Sequence, residues 1–328
     1  MVASNKAAAA SRENRFYGAR KKMRTTSRNP GGGVPPVHAI TIEAGSASIV
    51  GCEVSSFLPC ACVCVSGAGT RVSLQETRLF DGRGMGLLVC GRAEACAAGC
   101  SFEGMAAAGV EGRGGSQLQL SNCLVSGCGR SGVFIQTFSK GLISNCDVLG
   151  NSHAGVETMR NASLSMDACA VGNNRRGGVL VHCASTAALR DCTVSGNCMA
   201  GIDVRTGAEA TLEACLVRDG RTSGIYVSAG GGVKMSSTLV RSNRLAAVEV
   251  NDQPLPTTTT ARTAEEVVMP EETAARWGSS AGVRDGVTAG GHVGSGCCFV
   301  LSGSHNAMVG NGSDTVMRTG AIAVRVPL

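Results

Sequence analysis

Residues 132–154 read GVFIQTFSKGLISNCDVLGNSHA, residues 155–177 read GVETMRNASLSMDACAVGNNRRG, and residues 178–200 read GVLVHCASTAALRDCTVSGNCMA. The first residue of this pattern recurs along the chain at Ala39, Cys62, Gly86, Gly109, Gly132, Gly155, Gly178, Gly201, Gly224 and Ala247. Eight of the nine intervals between these starting residues are 23 residues, and the remaining one is 24. A fixed period of this length indicates a repeat architecture in which each unit stacks on its neighbours.

Apolar residues occupy fixed positions within each unit. They lie one and three residues after the start, as Val179 and Val181 do, which is the period-two pattern of a strand with one buried face. A second pair lies nine and eleven residues after the start, as Leu164 and Met166 do, and a cysteine and a valine recur at fourteen and sixteen. Three short strands per unit, separated by Gly, Asn and Ser, predict an all-β protein in which each unit forms one coil of a solenoid.

Asparagine recurs at one turn position of the repeat, nineteen residues after the start, at Asn151, Asn174, Asn197 and Asn243, and Cys128 and Gly220 interrupt this series. Three short strands per coil with asparagine turns resemble the right-handed, single-stranded parallel β-helix of the pectin-lyase-like superfamily. The resemblance covers residues 37–250 as about ten coils of 23 residues. It implies stacked asparagines with a left-handed backbone that hydrogen-bond along the stack. The cysteine-rich repeats are closest in style to the intracellular β-helix repeats of F-box-type adaptors.

Composition divides the rest of the chain. Residues 1–36 are basic and nearly free of acids, which predicts a disordered tail, with an organellar transit segment or a nucleic-acid or nuclear-targeting arm as alternatives. Residues 251–297 are rich in Pro and Thr and predict an inserted loop, either a cap or a disordered segment, and residues 298–328 predict a last coil. With no run of 18 apolar residues, we expect no membrane partner. The net charge of +6 comes largely from the tail.

Seventeen cysteines raise the question of disulfides. One inward position of the repeat holds cysteine in six successive coils: Cys100, Cys123, Cys146, Cys169, Cys192 and Cys215. Stacked side chains that point the same way suit a disulfide torsion poorly, so we expect a buried ladder of free thiols in a reducing, cytoplasmic compartment. An organellar location through the basic segment is the alternative. Cys60, Cys62 and Cys64 are spaced by two and are expected on one outward face, with a surface metal or redox site as a minor interpretation. We expect no metal and no cofactor.

The outward face of the first strand of each coil carries the candidate site. Two residues after the start, acids alternate with apolar or aromatic residues, and the candidate binding residues are Glu111, Phe134, Glu157, Asp203, Tyr226 and Glu249. Four residues after the start lie His182 and Arg205. Three interpretations stay open: a solvated sheet face, a binding face with exposed aromatics as contact points, and a catalytic constellation of Glu157, Asp203, His182 and Arg205.

A row of turn residues, Arg130, His153 and Arg176, runs beside this face and could attract an acidic partner, but it is too short to favour nucleic acid. We therefore expect a non-catalytic binding or scaffold module that recognises a protein, a peptide or an extended glycan. The alternative is a polysaccharide lyase, hydrolase or epimerase of the superfamily. A rod with a purely structural role is the third possibility.

Overall fold

The computed structural model describes residues 15–18, 23–24, 38–251, 298–301, 306–318 and 322–325, with side chains in residues 38–251 and 306–312. All regular structure in these residues is β, and it forms a right-handed parallel solenoid with three strands per coil. The predicted fold class is therefore confirmed. We use the names first, second and third sheet for the three sheets that the first, second and third strands of successive coils form.

Each sheet runs through the stacked coils. The strands of the first sheet are Met23–Arg24, Ile40–Ile42, Val63–Ser66, Leu87–Cys90, Val110–Gly112, Val133–Gln136, Val156–Met159, Val179–Val181, Ile202–Arg205, Ile225–Ser228, Ala246–Asn251 and Ser313–Arg318. Those of the second sheet are Arg15–Gly18, Ser46–Val50, Arg71–Gln75, Glu94–Ala98, Gln117–Ser121, Lys140–Ser144, Ser163–Asp167, Thr186–Arg190, Glu209–Glu213, Gly232–Ser236, Cys298–Leu301 and Ile322–Arg325. Those of the third sheet are Glu53–Val54, Arg78–Phe80, Ser101–Glu103, Leu124–Ser126, Asp147–Leu149, Ala170–Gly172, Thr193–Ser195, Leu216–Arg218, Leu239–Arg241 and Ala307–Val309.

The repeat period sets the register. Val156 pairs with Val179, and Leu164 pairs with Ala187, so equivalent residues of neighbouring coils lie side by side. The valines and leucines at the repeated apolar positions point inward, and Val156, Val179 and Leu189 are almost fully buried. Parallel pairing satisfies the backbone groups between coils, which allows a core built from small aliphatic side chains.

Glycine at the start of the unit has a steric reason. A Cβ atom on Gly155 would lie 2.4 Å from Cγ1 of Val171 and 2.6 Å from Nδ2 of Asn174. The strand therefore approaches the asparagine turn of its own coil too closely for a side chain at this position.

The asparagine series forms a hydrogen-bonded ladder. The backbone N–H and the Nδ2 group of Asn151 both donate to Oδ1 of Asn174, at 2.9 and 3.0 Å, and Asn174 donates to Asn197 in the same way. One part of the expectation is wrong, because the left-handed backbone lies at the preceding residue, as in Asn173 with φ of 56° and Gly150 with φ of 66°. The ladder asparagines need their amides for stacking, and the neighbour makes the turn.

The six cysteines of the inward position are all buried and free. Each lies just before a strand of the third sheet, and its thiol donates to the carbonyl oxygen two residues earlier, at 3.1 Å for Cys146 and for Cys192. The thiols therefore serve as small apolar side chains whose weak donor has a partner inside the coil.

The ends of the described chain add strands to the coils. Arg15–Gly18 and Met23–Arg24, in the stretch predicted to be a disordered tail, pair antiparallel with the first-coil strands Ser46–Val50 and Ile40–Ile42. The predicted loop over residues 251–297 lies, apart from Asn251, outside the described residues. Beyond it, Cys298–Leu301 continues the second sheet.

Candidate functional site

The outward row of the first sheet is recessed rather than solvated. Glu111, Glu157 and Asp203 point away from the core, yet they are only 8%, 7% and 5% exposed. A buried carboxylate needs partners because desolvation opposes its charge. The interpretation as an ordinary solvated sheet face is therefore wrong for these three acids.

Glu157 occupies the centre of the row and has two side-chain partners. Ser131 donates from Oγ to Oε2 at 2.6 Å, and Nε2 of His182 lies 3.2 Å from Oε1. Burial alone would raise the pKa of Glu157, but the hydrogen bonds with His182 and Ser131 outweigh it and hold the pKa below its ordinary value. The carboxylate is therefore kept ionised and fixed in place.

Asp203 lies one coil beyond His182 and is paired with Arg205. Nε and Nη2 of Arg205 donate to the two carboxylate oxygens, the first at 2.6 Å. Burial raises the pKa of Asp203, and the hydrogen bonds from Arg205 offset only part of this effect. The guanidinium carbon of Arg205 also lies 5.3 Å from the centre of the Tyr226 ring, within cation–π range. The predicted residues Asp203, Arg205 and Tyr226 thus form one contact group.

Glu111 and Glu249 lie toward the two ends of the row. Nε2 of Gln136 donates to Oε1 of Glu111 at 3.0 Å, and burial raises the pKa of this carboxyl while nearby Arg113 lowers it. Ser223 donates from Oγ to Oε2 of Glu249 at 2.7 Å. The serine before the start of the unit thus holds an acid one coil further on in two places, at Ser131 and Ser223.

The two aromatic residues are less exposed than expected. Phe134 and Tyr226 are half-buried, and the guanidinium of Arg205 lies over the ring of Tyr226. The turn row beside the face contains exposed Arg130, half-buried Arg176 and half-buried His153. Burial and the charge of Arg176 lower the pKa of His153, so its imidazole is neutral at neutral pH. Arginines therefore form the outer rim of a face whose acids lie beneath.

The expected grouping of Cys60, Cys62 and Cys64 is wrong. Cys62 lies in the core, because the starting residue of each unit faces inward, and Cys60 is buried with its Sγ 3.6 Å from Oγ of Ser56. Only Cys64 lies on the outward face, where it packs with Leu88 and Cys90.

Cys90, which the sequence did not single out, is half-buried beside Cys64. A hydrogen bond from the Cys64 thiol, with a further contribution from Arg113, lowers the pKa of Cys90 to about 6 despite burial. In residues 38–251 and 306–312 there is no group of three His, Cys, Asp or Glu side chains arranged to hold a metal ion.

The second sheet carries a shallow depression that the sequence did not indicate. It has a volume of about 310 Å³ and lies over Gly141, with Glu94, Gln117 and Lys140 among its lining residues. The sequence signal is Gly141, which replaces the apolar side chain usual at that strand position.

Over the described residues, no helix has the length and apolarity to cross a membrane.

These features define a parallel β-solenoid with a recessed, charged outward face. A family model described as right handed beta helix region matches residues 38–189 and 165–263. Since these matches together span more than half of the chain, the protein belongs to this family. A search of the curated proteins finds no match.

Several solved structures are similar to this chain at low identity. The periplasmic alginate epimerase AlgG is 11% identical over 85% of each chain, with a TM-score of 0.48. Pectate lyase Pel9A is 11% identical over 79% of this chain and 71% of its own, with a TM-score of 0.43. The A-module of the Azotobacter vinelandii mannuronan C-5 epimerase AlgE4 is 10% identical over 88% of this chain and 90% of its own, with a TM-score of 0.38.

Proposed function

We propose that the outward face of the first sheet binds an extended, acidic segment of a partner protein, as a non-catalytic recognition surface. The observation that carries the proposal is the internal pairing of the buried acids. Glu157 is held by Ser131 and His182, and Asp203 is held by Arg205. With these carboxylates already paired, the rim arginines set the charge that a ligand meets.

The shape and rigidity of the face support the same function. Half-buried Phe134, Leu180 and Tyr226 alternate with the buried acids along the stack of coils. Aromatic side chains held by their neighbours offer apolar contact area with little loss of conformational entropy on binding. An extended chain lying along the stack would meet an apolar contact at every second coil, about 9.6 Å apart from the usual strand spacing.

Binding of a fluorescent peptide of alternating glutamate and valine, followed by anisotropy in reducing buffer, tests the proposal. We expect Phe134→Ala combined with Tyr226→Ala to raise the Kd at least about tenfold, in the range of hot-spot truncations. Leu142→Ala is the matched control, because it removes an exposed apolar residue from the second sheet and should leave the Kd unchanged. Equal affinities for the double variant and the unmodified protein would refute the proposed face.

A second candidate function is catalysis on uronic-acid polymers through Glu157, Asp203, His182 and Arg205. The observation in its favour is that the pKa of Glu157 is lowered while that of Asp203 is raised. Acid and base pairs of hydrolases differ in this direction. The two acids are two coils apart, about 9.6 Å by strand spacing, at the upper limit for inverting glycosidases.

Incubation with polyuronates distinguishes the two functions. A catalyst would release unsaturated or reducing ends, or change the C5 configuration, and would lose this activity in Asp203→Asn. The recognition function predicts no turnover by the unmodified protein or by Asp203→Asn. Ligand capture and turnover are therefore separate readouts of the same face.

A further inference from the structure

Cys183, His182 and Glu157 form a hydrogen-bonded series, of which the proposed binding function uses only the pairing of Glu157 with His182. Sγ of Cys183 lies 3.4 Å from Nδ1 of His182, and Nε2 of the same imidazole lies 3.2 Å from Oε1 of Glu157. Ser131 donates to the other oxygen of Glu157 at 2.6 Å. A thiol, an imidazole and a carboxylate in this order have the contacts of an activated nucleophile, its base and the group that orients the base.

The backbone fixes this arrangement. His182 directly follows the strand Val179–Val181, and its N–H donates to the carbonyl oxygen of Thr158 at 3.0 Å. Cys183 follows in the left-handed conformation, with φ of 54°, so the chain turns back and brings the thiol against the ring of the preceding residue. The imidazole is 12% exposed and Cys183 is half-buried, so the pair lies outside the fully buried core.

Charged groups on the two neighbouring coils interact with the imidazole of His182. Glu157 contacts it directly from the preceding coil, and Asp203 from the following coil lies close enough for His182 to lower its pKa. Arg205 balances Asp203, and Arg160 holds the turn position equivalent to Cys183, 23 residues earlier. Glu157 is the acid in direct hydrogen-bond contact with the ring, so it is the group that orients His182.

We propose that Cys183 is a nucleophilic thiol, activated by His182 under the orientation of Glu157, and that this site is alkylated by soft carbon electrophiles such as α-haloamides. In the reaction with iodoacetamide, the thiol proton passes to Nδ1 of His182 and the sulfur forms a bond to the methylene carbon. The carbon–iodine bond breaks, and iodide leaves with the electron pair. The carboxylate of Glu157 stabilises the imidazolium that results.

Alkylation rates in the full-length, reduced protein test the proposal. Trypsin releases residues 177–190, which contain Cys183 as their one cysteine, so mass spectrometry reports this site directly. Cys198 is the matched internal control because it is also half-buried and its thiol has no ring-nitrogen partner among the described residues. At pH 6.5 we expect Cys183 to react with iodoacetamide at least about ten times faster than Cys198, since the thiolate is the reactive form.

Variants separate activation from simple exposure. His182→Gln should reduce the Cys183 rate about tenfold at pH 6.5 and move the midpoint of its pH profile upward, toward the ordinary thiol value of about 8.5. Glu157→Gln should move the midpoint in the same direction by less, and Cys183→Ser should remove the label from the fragment. In the unmodified protein, an alkylation rate of Cys183 equal to that of Cys198 would by itself overturn the proposal. An unchanged profile in His182→Gln would overturn it equally. Neither result depends on Phe134 or Tyr226, so failure here leaves the binding function standing.

Discussion

The outward rows of the first and second sheets are built on the same stack of coils, yet they hold their charges differently. On the first sheet, the side chains of Glu157 and Asp203 are 9% and 7% exposed and have partners that lie over them. On the second sheet, Glu94 and Glu213 pair with Arg71 and Arg190, and the side chains of these acids are 35% and 53% exposed. Stacking therefore fixes where a charge lies, but the neighbouring side chains decide whether it is buried.

The partners explain this difference. On the first sheet, His182 and Arg205 reach their acids from beside the row, and their own side chains are only 12% and 30% exposed. On the second sheet, Arg71 and Arg190 are about two thirds exposed and lie along the surface. Screening by water leaves such surface pairs with little energy, whereas a buried acid without its partners is costly. Desolvated and fixed charges are concentrated at functional sites, which is the reason for proposing a function on the first-sheet face.

The largest expected effect is a difference in the free energy of unfolding between variants of the two faces. Glu157→Ala leaves Ser131 and His182 without their acceptor in a buried site, and we expect a loss of about 2 kcal/mol in the free energy of unfolding. Glu213→Ala removes an exposed pair of the second sheet and should change this free energy by less than about 0.5 kcal/mol. Urea unfolding of both variants beside the unmodified protein measures the contrast. Equal losses for the two variants would mean that burial does not distinguish the faces.

Much of the architecture is predictable from the repeat. The 23-residue period defines the register, and the alternation within Val179–Val181 identifies the inward face, because both depend on residues that recur in every coil. The left-handed turn residue is Asn173 and not Asn174 as predicted, and the available sequence signal is the glycine at this position in other coils, such as Gly150 and Gly196.

The site is less predictable than the fold. The row from Glu111 to Glu249 follows from position in the repeat, but its burial does not. Burial of Glu157 depends on the side-chain positions of Ser131, 26 residues earlier, and His182, 25 residues later, which the apolar pattern of the repeat does not indicate. Likewise, the contact of Cys183 with His182 depends on a left-handed turn between adjacent residues, which the alternation of a strand cannot indicate.

The next contrast compares thiols of the two faces. Cys90 on the first sheet has a pKa lowered to about 6, chiefly by the hydrogen bond from Cys64 and further by Arg113, whereas Cys96 on the second sheet is exposed. We expect Cys64→Ala to raise the pKa of Cys90, and Arg113→Gln to raise it by less, because the thiolate loses a hydrogen-bond donor in the first variant and a nearby cation in the second. The pH dependence of alkylation at Cys90 measures this. A profile unaffected by both changes would contradict the assigned cause, and Cys96 should keep its profile throughout.

The smallest expected effect is the pH dependence of the first-sheet carboxylate. The pKa of Glu157 is lower in the folded protein than the unfolded value of about 4.3, so its contribution to stability is complete above that pH. The contribution is lost as the pH falls through the folded pKa, because the carboxyl group is then protonated in both the folded and the unfolded chain and its charge no longer stabilises the fold. The advantage of the unmodified protein over Glu157→Gln should therefore shrink as the pH falls below about 4. Unfolding at pH 7, 5, 4 and 3 follows this change, with Glu213→Gln as the second-sheet control whose small difference should stay small. An advantage that persists undiminished at pH 3 would show that Glu157 acts through its shape and not through its charge.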